Sequence, residues 1–175
     1  LQAQEFYSSE IANSKGKTGS ENKKKTKRVY PNVMPQWQKA KIVEDMRYHV
    51  VEVPVKMEKS LAFKLEGSTV KPNGNSKLLV LKDKRTGELI AALMHAYSTT
   101  GVELTKIEYK TKPKDFSGLI FYTTLEGVFV NGYSYEKGKL VASVKESVIE
   151  QKQSARSYCN DYGYVRYGRE LVQSD

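Results

Sequence analysis

The chain has 175 residues, a formal charge of +9 and one cysteine, Cys159. That length can form one domain with its own hydrophobic core, while a single cysteine excludes an intramolecular disulfide and a cysteine-built tetrahedral zinc site. No run of about 18 apolar residues occurs, so no segment reads as a transmembrane helix.

Residues 1–14 read as a short N-terminal helix whose apolar residues are Phe6, Tyr7 and Ile11; a helix this short needs something to dock on. Residues 15–30 read as a flexible basic linker or exposed loop. Lys15, Lys17, Lys23, Lys24, Lys25, Lys27 and Arg28 against Glu21 supply +6 of the +9, leaving +3 for the rest of the chain. The Lys15–Arg28 stretch has no apolar residue to offset its ordering entropy. Lys23, Lys24, Lys25, Lys27 and Arg28 are therefore the candidate polyanion contacts, beside the plainer reading of a solvated loop.

The ordered sheet domain is expected over residues 31–145. Trp37, the one tryptophan, reads as a core or lid anchor and as a candidate partner contact. Arg47–Met57 alternates, with Val51, Val53, Val55 and Met57 on one face and Glu52, Pro54 and Lys56 on the other. Pro54 cannot donate to a ladder, which predicts an edge strand or a bulge. His49 falls on the valine face and is expected to be a partly buried structural histidine. Pro72-Asn73-Gly74-Asn75 is a turn signal.

Lys77–Lys82 and Glu88–Tyr97 predict a hairpin around Asp83–Gly87, with Gly87 suited to a positive φ. Its second arm, LIAALMHAY, predicts a central strand containing a structural His95. Val102–Lys112 predicts a further strand, with Ile107 and Tyr109 opposite Lys106, Glu108 and Lys110. Phe116–Thr124, Val128–Tyr135 and Leu140–Val144 follow as a meander, turning at Glu126-Gly127 and Glu136-Lys137-Gly138. Lys145–Arg156 has helix-forming composition, and residues 146–175 form a tyrosine-rich C-terminal extension.

Consecutive strands on short turns mean an antiparallel sheet, which commonly buries one face and wets the other. The cover is expected from the N-terminal helix, the Trp37 segment or the region after Val144. The fold class expected is α+β: a bent antiparallel meander of about five to seven strands packed on one or two helices, with a cystatin- or NTF2-like layout among the alternatives.

The motifs point away from catalysis. His49, His95 and Cys159 show no catalytic spacing, although a Cys–His pair assembled in space stays open. Asp115, Glu126 and Glu136 sit beside turns, where carboxylates are ordinarily solvated. Gly127, Gly132 and Gly138 precede no helix and form no phosphate-cradling loop. No catalytic, cofactor-binding or metal-ligating residue is assigned, and no cofactor is expected. For binding there are candidate residues, beside the plainer reading that most of the tyrosines among them cover the sheet. Tyr133, Tyr135, Tyr158, Tyr162, Tyr164 and Tyr167, with Trp37 and Arg166, offer amphipathic surface at low entropic cost.

Pro35-Gln36-Trp37, then VVEVPV, the KDKRTGELIA hairpin, and DFSG with LEGVFVNGYSYEKGK together resemble a family of uncharacterised secreted lipoproteins of gut Bacteroidetes, over roughly residues 30–145. The resemblance implies a removed signal peptide with lipidation and a cell-envelope or extracellular location, and it transfers no functional residue. Some members of that family carry further C-terminal Cys-rich or enzymatic regions. The tail SARSYCNDYGY is in the corresponding place but has one cysteine where those regions have several. The Leu1 start reads as a trimmed product.

The leading expectation is a non-catalytic cell-envelope or secreted binding or accessory domain. Its partner would be an unknown protein, peptide or glycan, and it would meet a membrane only through a removed lipid anchor. The alternatives are an accessory or pro-segment of a larger secreted protein, nucleic-acid binding through the basic segment (the less favoured partner), and an enzyme with its site in a concave sheet face.

Overall fold

The computed structural model describes residues 2–16, 33–57, 73–98, 100–147 and 166–171. Helix α1 spans Gln2–Gly16, and the strands are β1 Val33–Pro35, β2 Lys41–Glu44, β3 Tyr48–Met57, β4 Asn73–Asp83, β5 Leu89–Ser98, β6 Gly118–Thr123, β7 Phe129–Glu136, β8 Lys139–Ser147 and β9 Arg166–Leu171. All strand pairs are antiparallel. The spatial order runs β1-β3-β4-β5-β6-β7-β8-β9, with β2 also paired to β3. An antiparallel sheet carrying one helix is thus the architecture among the described residues. The nine strands exceed the number expected because β1, β2 and β9 are short segments of weak sequence pattern that acquire strand geometry by pairing with β3 and β8.

One face of the sheet is covered by α1. Ala3, Phe6, Tyr7 and Ile11 recur at helical spacing and pack with Val53, Leu78, Val80 and Leu93. Trp37, in a 3-10 turn at Trp37–Lys39, meets the Tyr7 ring edge-on at 5.9 Å and closes this layer. Farther along the same face, Gly132 sits against Phe121. A Cβ there would lie 2.6 Å from that of Phe121, so glycine lets β6 and β7 pack closely.

The opposite face is also covered from β3 to β6, which corrects the expectation of a wetted side there. Its cover is the Val102–Lys112 segment, which is not a strand. Residues Leu104–Lys106 form a 3-10 turn and Glu108–Thr111 a tight bridge. Leu104, Ile107 and Phe116 pack onto Val50, Leu79, Met94, Ala96 and Ile120. The reason is topological: β4 and β6 occupy both flanks of β5, so the connection between β5 and β6 has no ladder to join and crosses over the sheet. Glu52, on the face opposite the valines, is buried beneath it.

Nor is β3 an edge strand, since β4 lies on one flank and β1 and β2 on the other. Pro54 is tolerated because its carbonyl accepts from Gln36 N–H at 2.8 Å, where the neighbouring chain leaves the sheet between β1 and β2. A residue's N–H and C=O point to the same flank of a strand, so the donor that proline lacks falls in that gap. The helix-forming composition of Lys145–Arg156 does not give a helix at its first residues: Lys145–Ser147 end β8 and pair with Arg166–Gly168 of β9, and residues 148–156 lie outside the described residues.

Candidate functional site

Two surfaces carry polar chemistry in a built arrangement. The first is a tyrosine-lined area on the face crossed by the 102–117 segment. Cross-strand pairing sets Tyr133 opposite Ile120, Tyr135 opposite Gly118 and Tyr122 opposite Asn131. Side chains of directly opposed residues share a face, so these three phenols lie together. All three are half-buried. Tyr135 packs on Phe116 at 5.8 Å, and the Lys112 ammonium stands 4.5 Å from the Tyr135 ring centre, a cation–π distance. Burial raises the Tyr122 and Tyr135 hydroxyls above the ordinary tyrosine range and pushes Tyr109 up to about 12, so all stay protonated donors at neutral pH. Leu140, opposite Tyr135, is exposed and extends the area with an apolar edge.

An ion pair beneath the crossing segment anchors that segment to the sheet. Glu52 Oε1 accepts from Lys77 Nζ at 2.6 Å, and Glu52 Oε2 accepts from the Tyr109 backbone N–H at 2.6 Å. Both charged side chains are nearly inaccessible, at 2% and 6%. Asn75 Nδ2 donates to the Leu104 carbonyl at 3.4 Å, and Lys41 pairs with Glu108. The crossover is thereby tied to β3 and β4.

The second surface is formed by two adjacent turns. In the β2–β3 turn, Asp45 Oδ1 accepts from the N–H groups of Arg47 at 2.7 Å and Tyr48 at 2.6 Å, while its Oδ2 accepts from Lys110 Nζ at 2.8 Å and Tyr109 Oη at 3.2 Å. In the β4–β5 turn, Asp83 Oδ1 accepts from Arg85 N–H at 2.8 Å and Thr86 N–H at 3.0 Å, and Gly87 takes the expected positive φ of 74°. The turns are cross-braced: Arg47 Nε donates to Asp83 Oδ2 at 3.0 Å, and Lys84 N–H to the Arg47 carbonyl at 2.9 Å. The Lys110 ammonium and the turn N–H groups hold the Asp45 carboxyl far below the usual range. Hydrogen bonds from Thr86 N–H, the Arg47 guanidinium and Arg85 N–H bring Asp83 down to about 2.

The two histidines differ. His95 is buried within the sheet, with Nδ1 2.9 Å from Ser76 Oγ and Nε2 3.1 Å from Thr123 Oγ1, and its ring stacks on Phe121 at 4.8 Å. Burial lowers it to about 4, so it is neutral and structural, as expected. His49 is a correction: it is exposed, with Nδ1 3.2 Å from Glu44 Oε1. The alternation places it on the valine face, but β3 runs past the end of the α1 cover there.

Asp115, Glu126 and Glu136 are exposed at turns. Asp115 lines an open depression of about 670 Å³ together with Thr100, Gly101, Val102, Lys114, Ser117 and Lys137. Among the described residues no three His, Cys, Asp or Glu side chains come together as a metal site. Of the expected contact residues, Tyr133 and Tyr135 come together, whereas Trp37 lies in the α1 layer. Arg166 and Tyr167 are on β9, opposite Ser147 and Glu146. Tyr158, Tyr162, Tyr164, Cys159, and Lys23, Lys24, Lys25, Lys27 and Arg28 lie outside the described residues.

Sequence reasoning missed Tyr122, Tyr109 and Lys112 because their neighbours are set by the crossover. The buried Glu52–Lys77 pair was invisible for the same reason. The turn aspartates had a signal, each standing just before a turn where an Asx carboxylate can cap backbone N–H groups. Comparison of the chain with protein-family models, with curated proteins and with solved structures finds no match.

Proposed function

We propose that this chain is a non-catalytic binding domain that uses the Tyr122–Tyr133–Tyr135 surface to hold a peptide or glycan. One observation carries the reading: the three phenols of Tyr122, Tyr133 and Tyr135 share one face on two adjacent, hydrogen-bonded strands. Phenols on a rigid support combine ring contact with hydrogen bonding and lose little rotamer entropy on binding. Lys112 adds a cation beside the rings. An exported or cell-envelope location is part of the proposal and rests on the lipoprotein resemblance. The cystatin- or NTF2-like layout belongs to it too, supported by one helix laid on a consecutive meander.

The test is a screen of immobilised glycans and peptides with the full chain, followed by calorimetry on any hit. Tyr133→Ala with Tyr135→Ala should weaken the hit by about ten-fold or more at an unchanged fold. Hits that survive both substitutions would sink the tyrosine-surface reading. Fractionation of the host cell tests the location separately.

A further inference from the structure

The tyrosine surface holds more hydrogen-bond donors than the protein itself uses. We propose that its ligand is an acidic saccharide, whose carboxylate meets the Lys112 ammonium while its ring and oxygens meet Tyr122, Tyr133 and Tyr135. The inference rests on the tyrosine-surface reading and names the chemistry that this surface selects. Among the described residues no hydrogen bond joins any of the three hydroxyls to another protein group. No buried side-chain oxygen or nitrogen among them lacks a partner, so the three hydroxyls open to water. They also lie close together: the Tyr122 hydroxyl is raised first by burial and then by Tyr135, Tyr109 and Tyr133.

The cation here is not matched by an acid. Arg47, Lys77 and Lys110 are each held by a carboxylate. Lys112 has no such partner among the described residues and stands over the Tyr135 ring at 4.5 Å. Asn131, opposite Tyr122, adds an exposed amide, and Ser143, opposite Tyr133, a half-buried hydroxyl. Glu136 follows Tyr135 and so alternates to the other side of β7, and Asp115 lines the depression together with Lys114 and Lys137. On β9, Glu170 stands opposite Ser143 and Arg166 opposite Ser147, one acid against one cation. The surface around Lys112 is therefore rich in donors and short of acceptors, and a carboxylate supplies acceptors with the matching charge. The strands decide for a sugar over an acidic peptide. Both flanks of β6 and of β7 are already paired, so this face offers an extended peptide no main-chain partner. A sugar needs none, since its C–H face lies on a ring while its oxygens accept from the hydroxyls.

The experiment is calorimetry of the full chain with oligogalacturonate, oligoalginate and hyaluronan oligosaccharides, each beside its carboxyl-reduced twin. Carboxyl reduction replaces the charge by a hydroxymethyl group and leaves the ring. Lys23, Lys24, Lys25 and Lys27 are changed to Gln throughout, so that the basic segment does not bind the polyanions. At least one acid is expected to bind about ten-fold more tightly than its twin. Lys112→Met keeps an apolar stem beside Tyr135 and should bring the two to equality. Tyr133→Phe with Tyr135→Phe keeps both rings and should weaken the acid about five-fold. Urea midpoints of these variants should stay with the parent, which separates binding from folding. Equal binding of acid and twin in all three pairs overturns the proposal, as does a preference that Lys112→Met leaves unchanged. A neutral ligand whose binding falls in Tyr133→Ala with Tyr135→Ala would remove the acidic-sugar inference and leave the tyrosine surface standing. An acid preference that survives both alanines would remove the two together.

Discussion

The two faces of the sheet are buried by different means. Under α1 the contact is apolar, from Phe6, Tyr7 and Ile11 onto Val53, Leu78, Val80 and Leu93, and the polar side chains farther along, His95, Ser76 and Thr123, satisfy one another. Under the 102–117 crossover an ion pair lies within the apolar cluster, and one carboxylate oxygen reaches out of the sheet to the cover itself. The first arrangement resembles ordinary core packing, in which each contact adds a little and none is decisive. The second concentrates the attachment of a segment without regular structure on Glu52. An irregular crossover cannot present the continuous stripe that a helix offers, so directional bonds to backbone groups supplement the burial of Leu104, Ile107 and Phe116.

That contrast is most directly broken at Glu52. Glu52→Ala leaves Lys77 buried without its partner and the Tyr109 N–H without its acceptor, and urea unfolding should show a loss of about 3–5 kcal/mol. Glu52→Met with Lys77→Met removes both charges and should recover most of that loss. If the single and double variants unfold alike, the ion pair is not what holds the crossover.

The α1 face should instead reveal itself through pH. His95 is lowered to about 4 from an ordinary value of 6.5, so the unfolded chain binds a proton that the folded one refuses. Stability is fully present above about pH 6.5 and is lost as pH falls toward 4, by about 3 kcal/mol in all. Asp45 and Asp83, also lowered, begin to withdraw their contribution only as pH falls below the ordinary aspartate value of 3.8, a separate and more acidic window. Chemical denaturation at stepped pH would show both phases, and a flat profile between 6.5 and 4 would contradict a buried neutral His95.

A smaller effect is expected from Trp37→Ala, about 2 kcal/mol, because Trp37 is only half-buried. Hydrogen exchange should show α1 losing protection while β4 and β5 keep theirs. Equal loss in both would mean that α1 and the sheet form one cooperative unit. Tyr109→Phe removes only the hydroxyl bond to Asp45 and should cost about 1 kcal/mol or less.

Much of the sheet was legible because its signals are local. The Asp83–Gly87 turn, the apolar second arm and the Glu136-Lys137-Gly138 turn each specify their own geometry, and β3 and β5 to β8 appear where alternation and turn residues put them. The turn signal at Pro72-Asn73-Gly74-Asn75 misled, because Asn73, Gly74 and Asn75 lie inside β4, paired with Ser98, Tyr97 and Ala96 of β5. The Val102–Lys112 segment misled because Ile107 and Tyr109 alternate with lysine and glutamate as a strand does, whereas the residues that bury are Leu104 and Ile107, three apart in a turn. Pro54 was read as an edge marker, yet what it marks is the interval between β1 and β2. Tyr133 and Tyr135 were identifiable as candidate contacts, but their grouping with Tyr122 depends on the register between β6 and β7, which includes a bulge near Thr123.

By itself the sequence determined strand alternation, the turns at Asp83–Gly87, Glu126-Gly127 and Glu136-Lys137-Gly138, an antiparallel meander and the apolar side of α1, because each depends on residues close in the chain. Only the tertiary structure decided that both faces of β3 to β6 would be covered, that Glu52 and Lys77 would meet inside, and that Asp45 and Asp83 would bind Lys110 and Arg47 across two adjacent turns. Those outcomes depend on contacts between parts of the chain far apart in sequence, such as Leu104 and Ile107 on Val50 and Leu79, which no local pattern records.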